Sequence, residues 1–166
     1  MKSYRTLASA SLAFGGLILI GMGFYFALLR PSLLPEDARY IGKSAAQIQL
    51  ALPGLSGWLG HVFGVLGGYM AATGLLTVYV AATSFRAGTR GARSVVAVAG
   101  LLSIGWMAIE NFLISSDFKW LLAAFTLPWM IALTLDLLTS SGRVGEAESR
   151  KDTHEIDTIS KEAAIE

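Results

Sequence analysis

Three side chains in the apolar part of this chain could do chemistry: His61, Glu110 and Asn111. Each interrupts a long hydrophobic run, and an ionisable group inside such a run is costly and by default marks a functional site. His61 lies about one helical turn inside the start of one run, and Glu110 and Asn111 lie about one turn inside the end of the next. If consecutive runs are antiparallel helices, all three share a depth just below one surface. Arg30 ends an earlier run at the same level, and Asp117 and Lys119 fall in a nearby turn. A carboxylate and an imidazole there could bind a proton, a cation or a polar headgroup. The structural alternative is that Glu110 pairs with Arg30 or His61, or reaches the interface, and only supports the fold.

Other chemistry is scarcer. One histidine and one carboxylate make a weak metal set, because zinc takes three or four ligands, so Asn111 or Asp117 would have to join them. No metal and no other cofactor is expected. The chain has no cysteine, which excludes disulfides, thiolate sites and a cysteine nucleophile. No G-x-S-x-G, H-E-x-x-H, phosphate-loop or C-x-x-C-H pattern occurs, so no catalytic residue is assigned. An enzyme would have to use Glu110 or His61 as a general base without an accompanying nucleophile. Trp106 and Trp129 sit in mid-run, where they either pack or line an apolar pocket for a quinone or lipid. Asp136 is expected in a structural ion pair with Arg86 or Arg143.

The elements that position these groups follow from composition. Of 166 residues, 54% are hydrophobic and 15% charged, against about 25% charged in soluble domains. The charges leave four continuous apolar runs, approximately 7–29, 58–85, 94–115 and 120–138. Each reaches the ~20 residues that cross a bilayer as a helix, and none alternates as a barrel strand would. The fold class is therefore all-α, a four-helix transmembrane bundle over residues 1–141. The first run follows Lys2 and Arg5 but is too long for a signal peptide, and its bulky Phe24, Tyr25 and Phe26 do not suit a cleavage site. Residues 142–166 carry four basic and seven acidic residues and read as a flexible charged tail.

The connection between the first two runs is not uniformly polar. Ile41, Ala45, Ile48 and Leu52 share a helical face, and Ser44 with Gln47 forms a capping box, so a short amphipathic helix is expected there. The preceding Pro35–Arg39 segment fits either a polar turn or an earlier helical turn. Pro128 predicts a mild kink in the fourth run. Gly60, Gly64, Gly68 and Ala72 recur every four residues in the second run and form a groove into which another helix can pack. In the first run Ser11 with Gly15, and Gly23 with Ala27, give further small-residue pairs. Short connections predict contacts between the second and third helices and between the third and fourth, with the place of the first left open.

Four spans put both termini on one side. That side holds Lys2, Arg5, Arg86, Arg90, Arg93, Arg143, Arg150, Lys151 and Lys161, nine basic residues against four on the other (Arg30, Arg39, Lys43 and Lys119). The bias predicts cytoplasmic termini and an outward first loop. A net charge of +1 points to no nucleic-acid partner.

The stretches RPSLLPEDARYIG, PGLSGWLGHVFGVLGGYMAATGLLTVYVA and FLISSDFKWLLAAF resemble small bacterial four-helix membrane proteins. The chain is also similar to DoxX-like proteins in size and helix plan only. The resemblance implies a bacterial inner-membrane protein. That group has no assigned activity, so no catalytic residue carries over. Two functions follow as expectations. One is a non-enzymatic accessory or scaffold protein, packing through its small-residue faces against another membrane protein or a second copy. The other is a binder or carrier of a lipid, quinone or small solute, using His61, Glu110, Asn111, Arg30 and Trp106. Membrane lipid is a partner in either case.

Overall fold

The computed structural model describes residues 2–140. The expected tail, 142–166, lies outside the described residues. Among the described residues, four helices are long and apolar enough to cross a membrane. The first is α1 (Ser3–Leu29), followed by two short helices, α2 (Pro35–Ile41) and α3 (Ala45–Ala51). Then come α4 (Leu55–Phe85), α5 (Ala92–Leu113) and α6 (Lys119–Ser140). No strand occurs among the described residues. The chain is an all-helical four-helix bundle, and its outer faces carry large apolar side chains such as Leu28, Leu75, Leu101, Trp120 and Leu138.

Local chemistry sets the helix ends. Arg30 precedes Pro31 and is extended (ψ 125°), because the proline ring crowds the helical conformation of the residue before it. The apolar face expected to run from Ile41 to Leu52 is split, with Ile41 ending α2 and Ile48 in α3. Gly42, at φ +74°, turns the chain left-handed and ends α2 before α3 begins. α3 opens with the expected capping box, in which Ser44 N donates to Gln47 Oε1 (2.9 Å) and Gln47 N donates to Ser44 Oγ (3.2 Å). Of its proposed apolar face only Ile48 is buried, while Leu52 is 57% exposed. The segment 35–39 is helical, with Pro35 at the first position and Asp37 accepting from Leu34 N at 2.9 Å.

α1 is the centre of the bundle. It runs antiparallel to α4 along a seam of small residues. A Cβ built on Gly67 would lie 2.5 Å from the Gly23 carbonyl oxygen, and one on Gly74 would lie 2.5 Å from that of Gly16. Farther along, Ser9 Oγ donates to the Ala81 carbonyl at 2.5 Å. These contacts sit on Gly67, Gly74 and Ala81, not on the expected Gly64–Gly68–Ala72 register. Gly64 and Gly68 have nothing within 4 Å of a built Cβ, and Gly60 has only Ser32 Oγ at 3.5 Å.

On its other side α1 meets α6. Ser11 Oγ donates to the Pro128 carbonyl at 3.0 Å, and the Trp129 ring packs on Gly15. Both small-residue pairs read in the first run are therefore used, Gly23 and Ala27 against α4 and Ser11 and Gly15 against α6. The same Trp129 ring lies on Gly100 of α5, so one buried indole joins three helices. Pro128 does more than kink α6. The helix is interrupted by a turn at Phe125–Thr126, where Thr126 Oγ1 donates to the Ala123 carbonyl at 2.7 Å. α5 and α6 pack as expected, but α4 and α5 meet chiefly beside the connection joining them, through Ala81–Phe85 and Ala92–Gly100. Around the bundle the order is α4, α1, α6, α5, and the α4–α5 side is the loosely closed one.

Candidate functional site: a cavity between α4 and α5

Where α4 and α5 diverge, a cavity of about 730 Å³ opens between them. α4 lines it with Leu66, Tyr69, Met70 and Thr73, an i, i+3, i+4, i+7 face. α5 contributes Leu102, Ser103, Trp106, Met107, Glu110 and Asn111. Two π-helical turns border it, Tyr25–Leu29 of α1 and Leu101–Gly105 of α5. The extra residue in such a turn rotates the side chains that follow, a device common at binding sites. Most of the lining is apolar, and its polar groups gather where α1 ends, α2 crosses and α5 turns into α6.

The polar end is built from several elements. Arg30 is 9% exposed and already paired. Its Nη2 meets Asp37 Oδ2 at 3.2 Å, its Nη1 donates to the Pro31 carbonyl at 2.9 Å, and its guanidinium carbon stands 3.7 Å from the Phe63 ring centre. A guanidinium stacked at that distance is held by the ring quadrupole as well as by its counter-ion. Glu36, from α2, is buried and accepts from Ser116 Oγ at 3.3 Å. Ser116 Oγ in turn accepts from Phe118 N at 3.2 Å, which fixes the α5–α6 turn under α2. Arg39 and Asp117 add a second tie between these segments at 3.0 Å, although both are exposed and such a pair contributes little.

Four of the five expected ligand-binding residues line this cavity: Arg30, Trp106, Glu110 and Asn111. Asn111 Nδ2 donates to the Met107 carbonyl of its own helix at 2.9 Å. The Glu110 side chain makes no hydrogen bond or ion pair among the described residues, so it is not the partner of Arg30. His61 does not belong to the site. It is exposed and outside the lining, because five residues before Leu66 is a rotation of about 140° away from the cavity face. Trp129 is a core residue rather than a pocket wall. Sequence reasoning missed Glu36, Asp37 and Tyr69. The carboxylates sit in a helix of seven residues, too short for a periodic pattern to assign a face.

Asp136 is paired as expected but with a different arginine. Arg93 Nε lies 2.6 Å from its Oδ2, and Arg93 also reaches Ser140 Oγ. The pair links the start of α5 to the end of α6. Arg86 is exposed, and Arg143 lies outside the described residues. Among the described residues no three histidines, cysteines or carboxylates are grouped as metal ligands. Comparison with protein-family models, with curated proteins and with solved structures finds no match.

Proposed function

We propose that this protein binds an amphiphile within the membrane, with the apolar part between α4 and α5 and the polar head against α2 and the end of α5. The single observation that carries the reading is the cavity itself, about 730 Å³, apolar along its length and polar at one end. Its volume falls in the ~300–1,000 Å³ range of small-ligand sites. The charge balance favours a cationic or hydrogen-bond-donating head. Arg30 is already neutralised by Asp37 and stacked on Phe63, whereas Glu36 and Glu110 have no cationic partner among the described residues. Tyr25, Tyr69 and Trp106 add π-faces suited to an ammonium group. We place the protein in a bacterial inner membrane on its resemblance to small bacterial four-helix membrane proteins, and its termini in the cytoplasm on the nine-to-four distribution of basic residues. Because the chain has no cysteine, a single Ser44→Cys would report that orientation by labelling from outside intact cells.

The test uses two amphiphiles with one tail, decyltrimethylammonium and decyl sulfate, titrated calorimetrically against the protein in maltoside micelles. The ammonium should bind at least about tenfold more tightly than the sulfate, and Glu110→Gln should remove most of that difference. Comparing proteins in the same micelle cancels partitioning. If neither compound binds above empty micelles, the binding function is wrong. If both bind equally, the cavity stands and the head preference does not.

A further inference from the structure

We propose that the opposite end of the bundle holds a second site, for the phosphate group of an anionic lipid. There a cavity of about 290 Å³ lies among the start of α1, the α4–α5 connection, the start of α5 and the end of α6. It is lined by Arg5 of α1 and by Arg90 and Arg93 at the α4–α5 connection, against one acid, Asp136. That acid is already held by Arg93 at 2.6 Å. The side chains of Arg5 and Arg90 make no hydrogen bond or ion pair among the described residues. Two cationic forks therefore face a polar cavity without an anion between them.

The surrounding chain is shaped for an oxyanion. Arg5 is half-buried, and its guanidinium lies against Gly88, which has φ +66°. A Cβ at Gly88 would overlap that guanidinium, so the glycine both makes the turn and leaves the space Arg5 occupies. Gly91, at φ +85°, aims the start of α5 toward the same cavity, and that helix end has no side-chain cap and no acid in its first turn. Ser94 adds a hydroxyl to the lining, whereas those of Thr89 and Ser140 already donate to the Ser84 and Asp136 carbonyls. Planar guanidinium forks bind phosphate oxygens two at a time, which suits arginine better than lysine here. The location decides the source. The site sits where spans begin near Ser3 and end near Ser140, at headgroup depth, and basic pockets between helices at that level recognise anionic lipid heads.

Native mass spectrometry of the full chain, released from maltoside micelles doped with equal phosphatidylglycerol and phosphatidylcholine, tests this. The wild type should retain phosphatidylglycerol over phosphatidylcholine by about tenfold, with the preference falling as salt rises. Arg5→Gln with Arg90→Gln should abolish the preference while leaving phosphatidylcholine retention unchanged. Arg5→Lys with Arg90→Lys keeps the charge and should retain part of it, which separates phosphate recognition from loss of fold. Competition with glycerol 1-phosphate distinguishes the source. Failure of a large excess to displace the lipid supports a membrane-presented phosphate, and displacement overturns that part of the assignment. Equal retention of the two lipids by the wild type, or a preference that survives both double variants unchanged, overturns the site.

Discussion

α4 carries small residues on two faces, and only one face is packed within the chain. Gly60, Gly67, Gly74 and Ala81 recur every seven residues, whereas Gly60, Gly64, Gly68 and Ala72 recur every four. Gly67, Gly74 and Ala81 of the seven-residue set meet Gly23, Gly16 and Ser9 of α1, themselves seven apart, and at the two glycine pairs the backbones are too close for a side chain. The four-residue set diverges from it and faces outward beyond Gly60. The lesson is one of period. Two helices that stay in contact over several turns wrap around each other, and a wrapped seam follows a 3.5-residue repeat, not a straight line of fours. A small-residue stripe identifies a seam only when a partner helix carries a stripe of the same period.

The largest effect should come from filling the packed face. Gly67→Leu would drive a side chain into the Gly23 carbonyl and the Ala27 amide, atoms that cannot rotate away. Overpacking against side chains costs about 1–3 kcal/mol, and against backbone the cost should reach or exceed the upper end. Thermal unfolding in maltoside micelles should show a large loss, and Gly23→Leu on the facing helix should match it. A small loss in both would mean that α1 and α4 do not meet along this seam.

A smaller effect sharpens the same comparison. Ser9→Ala removes the hydrogen bond to the Ala81 carbonyl but keeps the small side chain that the seam requires. The expected loss is about 1 kcal/mol, in the range measured for hydrogen bonds between helices in membranes. Ser9→Leu should cost clearly more than Ser9→Ala. If the two cost the same, the hydrogen bond rather than close packing holds that end of the seam.

Much of this architecture was legible from residues alone. The four spans, the extended Arg30 before Pro31 and the Ser44–Gln47 capping box are local, and each has one dominant physical cause. Placing Glu110, Asn111 and Arg30 together needed only depth, which span length and topology provide, and Trp106 lies four residues before Glu110 on the same helix. Rotation about the helix axis was the weak point. His61 had the right depth and the wrong phase, because nothing in its own sequence neighbourhood says which side of α4 faces α5. Glu36 was hidden by the brevity of α2. The role of Trp129 depends on glycines at 15 and 100, on two other helices, a coincidence that no single run displays.

The smallest expected effect is the most discriminating. Gly64→Leu and Gly68→Leu place side chains in open space, and a leucine on a lipid-facing helix surface suits its surroundings. Monomer stability should change by no more than about 0.5 kcal/mol in either direction. The same variants bear on the accessory or scaffold reading, because an outward stripe of small residues could receive a helix from another copy or another protein. The readout is therefore mass in mild detergent as well as unfolding. If the wild type is a monomer and both variants leave mass and stability alone, the outer stripe is simply lipid-facing surface. If the wild type is a dimer that Gly64→Leu dissociates, then both faces of α4 are packing faces. The seven-residue one would then serve the fold and the four-residue one the assembly.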